Sequence, residues 1–168
     1  MSLSMYQASI PVFVRMLDNL SVILDKAVAY AEAKKIDPVV LVNARLAPDM
    51  FPLVRQLQIA TDSVKGCAAR LAGVDIPSYA DTESNFAELQ ARLGKTRDFL
   101  LSFSAEQIDG SEAKAITLNF PGMELKFTGQ DYLLNFVMPN FYFHLTTAYA
   151  ILRHNGLDIG KMDFLGRA

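Results

Sequence analysis

Apolar residues recur at helical spacing from the start of the chain. Val12, Met16, Leu20, Ile23, Ala27, Tyr30 and Ala31 fall on one side, and Arg15, Asp18, Asp25, Lys26, Glu32 and Lys34 fall mainly on the other. The period predicts a first long helix from about Met5 to Lys35. Pro11 in its early turns predicts a kink or a late start, and Asp37-Pro38 a stop. Val39–Leu46 is short and apolar, and reads either as one helical turn or as an ordered connector. Asp49 is placed to cap a second long helix that carries Pro52 in its first turn and ends at Gly73. Asp81 or Thr82 is placed to cap a third, from about Glu83 to Ser102. Phe86, Leu89, Leu93, Arg97 and Leu100 form its stripe, and Gly94 weakens it.

The period then changes from helical to alternating. Ala115–Phe120 and Met123–Thr128 alternate on either side of Pro121-Gly122, which predicts a β-hairpin with Ile116, Leu118, Phe120, Met123, Leu125 and Phe127 on one apolar face. Two strands alone are marginal in water, so that face is expected to lie on the helices. Thr128-Gly-Gln-Asp131 resembles a capping box and opens a fourth long helix that ends near Asn155-Gly156. Pro139 lies inside it and predicts a kink, because its ring clashes with the carbonyl of Asn135. The tail from Leu157 to Ala168 reads as a loose end. The chain is expected to be one domain, mostly α: a four-helix bundle with a small β-hairpin before the last helix.

Composition narrows the function classes. With 168 residues, just over half of them hydrophobic, the chain can bury a core without covalent staples. The net charge is −2 and no basic run appears, so nucleic acid is not expected as a partner. No uncharged apolar stretch is long enough to span a bilayer, and no signal peptide is visible, so a cytoplasmic location and no membrane partner are expected. Cys67 is the sole cysteine and sits on an apolar helical face, where an inert buried thiol is expected. Walker A, GxGxxG, CxxC, HExxH and GxSxG patterns are all missing.

The residues that remain for chemistry lie on the second and fourth long helices. Asn140, His144 and Thr147 share one face of the fourth, among core-directed apolar residues. Such groups cost about 1–3 kcal/mol each if buried without partners. Gln58 and Asp62 on the second helix point the same way as Arg55 and are the partners expected for them. A carboxylate facing an imidazole would orient it, raise its pKa or share a metal with it. A fully satisfied polar layer that fixes helix register is the alternative. His154, before Asn155-Gly156, suits a C-terminal capping role. Glu88, Arg92, Lys95 and Asp98 on the third helix read as a solvated face.

The run from His144 through Leu152-Arg153-His-Asn-Gly156 resembles the last helix of the DinB/YfiT-like metalloenzyme superfamily. Pro48–Asp62 and the ending Leu157–Leu165 look more narrowly like an uncharacterised bacterial branch of it, a domain of unknown function. The resemblance covers essentially the whole chain and implies a DinB-like four-helix bundle. Metal-binding members use three histidines, one on the second helix and two at i, i+4 on the fourth. Here the last position is His144, the one before it Asn140, and the second-helix position about Gln58. The expected site is therefore a ligand-binding cavity lined by Gln58, Asp62, Asn140 and His144, with no cofactor. Any metal would be a weakly bound divalent ion on His144 and Asp62. The preferred expectation is a bundle protein of unknown role, with a small-molecule ligand and a homodimeric state. The alternatives are a metal-dependent hydrolase or thiol transferase with an altered ligand set, and a structural or interaction dimer without a site.

Overall fold

Residues 3–166 of the chain are described by the computed structural model. Helix α1, Met5–Lys34, starts where Ser4 and Gln7 cap each other reciprocally and stops at Lys35, which takes a left-handed conformation. Pro11 neither delays nor displaces this start. It lies on the exposed side, where the carbonyl it leaves unpaired meets solvent. Asp37 caps a single turn, α2 (Pro38–Val42). The second long helix, α3, is Leu53–Ala72, and Gly73 ends it with φ 75°. Asp49 does not cap it. The Leu53 N–H is bonded to the Ala44 carbonyl at 2.9 Å, so a backbone contact with the preceding segment sets the start, three residues later than the side-chain pattern suggests.

The third long helix, α4, is Phe86–Leu101, with Asn85 as its cap. The start expected at Glu83 moves because Asp81 and Glu83 are drawn onto an arginine instead. A single turn, α5 (Ala105–Ile108), leads to the hairpin of β1 (Ala115–Phe120) and β2 (Met123–Thr128), paired antiparallel with Ile116 opposite Phe127 and Leu118 opposite Leu125. Ile116 and Leu118 are buried, and Leu125 and Phe127 pack on the core. Phe120 and Met123, expected on the same covered face, are exposed, because the turn end overhangs the helices.

Thr128 caps the short α6 (Gly129–Asp131), and a π-helical stretch, Tyr132–Val137, leads into α7, Met138–His154. The wider turn of this stretch accommodates the crowding that Pro139 imposes on Asn135. The end of the chain is not loose up to residue 166. Helix α8, Lys161–Leu165, docks on α1 through Lys26–Asp163 at 2.6 Å and Asn19 Nδ2 donating to the Phe164 carbonyl at 3.0 Å. Arg167 and Ala168 lie outside the described residues. Phe13, Leu17, Leu24, Leu57, Leu89, Phe141 and Ile151 are enclosed among the four long helices. No helix among the described residues is long and apolar enough to cross a membrane.

Two glycines separate close packing from mere permissiveness. A Cβ on Gly129 would lie 2.0 Å from the Ser111 carbonyl oxygen, whereas one on Gly94, inside α4, would meet nothing within 4 Å. Urea denaturation of Gly129→Ala should show a loss of about 2–3 kcal/mol, and Gly94→Ala a gain of about 0.5–1 kcal/mol. Equal effects of one sign would contradict this packing.

Candidate functional site

Residues two apart on a helix differ by about 200° around its axis, and α3 uses this difference to serve two neighbours. Gln56 and Ser63 face α7, while Gln58, Asp62 and Lys65 face the loop of residues 74–85 and α4. The four residues expected to line one cavity therefore belong to two separate clusters.

In the first cluster, His144 Nδ1 is 2.7 Å from Gln56 Oε1, and Gln56 Nε2 donates to the Phe51 carbonyl at 2.9 Å. The Phe51 carbonyl fixes which end of the amide is oxygen, so Nδ1 is the protonated ring nitrogen. Nε2 has no partner among the described residues. It is also not sealed, since the enclosed side-chain atom left unbonded is Ser111 Oγ. One turn earlier on α7, Asn140 Nδ2 donates to Ser63 Oγ at 3.2 Å. Thr147 lies on the same face but turns its hydroxyl back to the Phe143 carbonyl at 2.7 Å, so it takes no part. Burial, and then the positive charge of Arg55, holds the His144 pKa below its ordinary 6.5. No carboxylate raises it, contrary to the expectation built on Asp62.

The second cluster is centred on Arg92, whose side chain is only 2% exposed. Its Nε donates to Thr61 Oγ1 at 2.7 Å, its Nη2 to Asp62 at 3.0 Å, and its Nη1 to the Ala80 carbonyl, Asp81 and Glu83 at 3.0–3.2 Å. Gln58 closes the ring, accepting from Arg55 Nη1 and donating to Glu83 Oε2 at 2.9 Å. Lys65 pairs with Asp62 at 2.7 Å and lies 3.8 Å from the centre of the Tyr79 ring. Arg92 is thus no part of a solvated face. The sequence signal for it was indirect: two acidic residues, Asp81 and Glu83, in a loop where only one helix cap was needed. Burial alone would raise the Glu83 pKa, but hydrogen bonds from Gln58 and Arg92 outweigh it and leave the carboxyl below its ordinary value.

Two further expectations are settled by local contacts. Cys67 is enclosed, and burial pushes its pKa far up, so its thiol is inert. The end of α7 is capped by Asn155 Nδ2, which donates to the Ile151 carbonyl at 2.7 Å, while His154 is exposed beside it.

Residues 5–165 match the family described as a domain of unknown function, DUF1993. The chain belongs to this family. Its fold is DinB-like: the crystal structure of a DinB family member protein from Shewanella denitrificans superposes with a TM-score of 0.88 at 43% sequence identity, covering 97% of this chain and 92% of that one. None of the curated proteins compared with the chain matches it. In this DUF1993 chain the α3 residue opposite His144 is Gln56 and not Gln58, so the seam carries two amides, Gln56 and Asn140, and one imidazole. That donor set does not fit a three-histidine zinc or nickel centre. Asp62 cannot complete it, being committed to Lys65 and Arg92 on the other side of α3. Among the described residues, no three His, Cys, Asp or Glu side chains converge.

Arg92→Ala should destabilise the protein by about 3 kcal/mol in urea denaturation, the lower end for a broken buried pair. Asp62 and Asp81 are roughly two-fifths exposed and can rehydrate, whereas Glu83, 11% exposed, cannot. An effect under about 0.5 kcal/mol, the surface norm, would reject Arg92 as a fold determinant. Stability should also fall with acid in two windows. His144 takes up its proton less readily folded than unfolded, so its contribution is present above pH 6.5 and is lost as pH falls below it. The Glu83 contribution is present above 4.5 and is lost below that value. Melting temperatures across pH should show the first window vanish in His144→Asn and the second remain.

Proposed function

We propose that this chain is a DinB-like bundle protein that works without the three-histidine metal centre and binds a small molecule at the α3–α7 seam through His144. The observation that carries this reading is the paired commitment of the ring. Nδ1–H is spent on Gln56, whose amide is itself fixed by the Phe51 carbonyl, so Nε2 remains a lone-pair acceptor with no partner among the described residues. Its lowered pKa keeps the ring neutral at pH 7, the state in which Nε2 accepts a hydrogen bond. The ligand must therefore offer an N–H or O–H donor. Phe143, 55% exposed, stands edge-on to the imidazole with ring centres 5.2 Å apart, and Phe51, whose carbonyl holds Gln56, is also 55% exposed.

The same two exposed rings favour a second occupant, another copy of the chain, and light scattering distinguishes the two. For the ligand reading, a library of small hydroxyl- and amide-bearing fragments is screened by thermal shift against wild type and His144→Phe, which keeps an aromatic ring but loses Nε2. Fragments that bind wild type should bind the variant at least tenfold more weakly, a difference of about 1.4 kcal/mol. The reading fails if fragment binding is identical in both, or if protein purified without added metal carries one equivalent of zinc or nickel.

A further inference from the structure

On the far side of α3 from His144, the loop of residues 74–85 and the exposed face of α4 enclose a cleft of about 380 Å³. Its floor is Ala91, its wall is the backbone around Ala80 and Thr82, and Tyr79 and Arg92 close its inner side. At its two ends stand Glu88 and Lys95, both exposed. Glu88 spends one oxygen, Oε2, on the Ser84 N–H at 2.6 Å and the Ser84 hydroxyl at 3.1 Å. The Lys95 ammonium lies 4.1 Å from the centre of the Tyr79 ring. Neither residue has a partner of opposite charge among the described residues.

The helix itself prevents them from pairing. They lie seven residues apart on one face, about 10.5 Å along the axis, and Ala91 between them is too small to fill the gap. The inner wall adds no net charge, since the cations Arg55, Lys65 and Arg92 balance the carboxylates Asp62, Asp81 and Glu83 that they pair with. The cleft therefore shows a carboxylate at one end, an ammonium at the other, and a neutralised floor between them.

We propose that this cleft binds a small zwitterion of about dipeptide length, with its ammonium on Glu88 and its carboxylate on Lys95. The length follows from the spacing. Two extended residues span about 7 Å, and a charge-assisted hydrogen bond of about 2.8 Å at each end brings the reach to about 12–13 Å, enough to bridge the rise of about 10.5 Å between the two positions. A free amino acid is too short to hold both ends. The site is independent of His144.

The test is a backbone NMR titration of the full chain with L-alanyl-L-alanine. Saturable shifts are expected at Thr82, Ala91 and Lys95. N-acetyl-alanyl-alanine and alanyl-alanine amide, each lacking one charge, should bind at least tenfold more weakly. Lys95→Met should erase the preference for the free carboxylate, and Glu88→Gln, which keeps the contact to Ser84, the preference for the free amine. Ala91→Leu, an exposed substitution that favours helix, should fill the floor and abolish binding while the melting temperature holds. Absence of saturable shifts, equal binding of the three peptides, or unchanged binding to Ala91→Leu would each overturn the proposal.

Discussion

Burying a guanidinium costs several kcal/mol unless every donor is met, and the rest of this bundle is arranged around that demand at Arg92. Its three nitrogens reach Thr61, Asp62 and the Gln58 carbonyl on α3, and Ala80, Asp81 and Glu83 in the following loop. Meeting them fixes three things at once. It sets the path of residues 74–85, delays the start of α4 to Phe86, and fixes the rotation of α3 about its own axis. With Gln58 and Asp62 turned toward Arg92, Gln56 and Ser63 turn toward α7. The polar contacts of His144 and Asn140 are thus a consequence of where an arginine on a different helix has to find its carboxylates.

The same cluster explains how a long irregular connection is held in place. A loop of this length loses much conformational entropy on ordering, and it has little apolar surface to bury in return. Cation and ring contacts compensate. Tyr79 has Lys65 at 3.8 Å, Lys95 at 4.1 Å and Arg92 at 5.4 Å from its ring centre, and Arg55 pairs with Asp81. Arg55 also contributes to the lowered pKa of His144, so a single side chain touches both clusters electrostatically.

Hydrophobic period made the long elements legible because it reports a local property, which face of a helix or strand is apolar. Four long helices and the hairpin follow from it, and the Thr128 cap from the capping pattern of Thr128–Asp131. What it did not show depends on distant partners. The start of α3 is set by a bond to Ala44, and the docking of α8 by Asn19 and Lys26. In the site, His144 and Asn140 were legible as polar groups on an apolar seam. Their partners were misassigned by about half a turn around α3, because the i, i+4 pair Gln58 and Asp62 fits the helical period as well as the i, i+7 pair Gln56 and Ser63. Only the neighbour decides which pair faces inward. Arg92 was missed for a related reason: its row also carries Glu88 and Lys95, and a solvated face and a face covered by a loop have the same period.

An amide opposite His144 does more for the seam than fill the space of another imidazole. An imidazole opposite His144 would leave the two rings free to choose tautomers, and a metal would settle the choice by taking a nitrogen from each. Gln56 settles it alone. Its oxygen can only accept, and its nitrogen is already used by the Phe51 carbonyl, so the proton on His144 must sit on Nδ1. Asn140, held by Ser63, is likewise satisfied within the protein. The seam spends Gln56 and Asn140 on internal hydrogen bonds and leaves His144 Nε2 without a partner among the described residues. The hydrogen bonds of the seam thus fix both the tautomer and the orientation of the one imidazole on it.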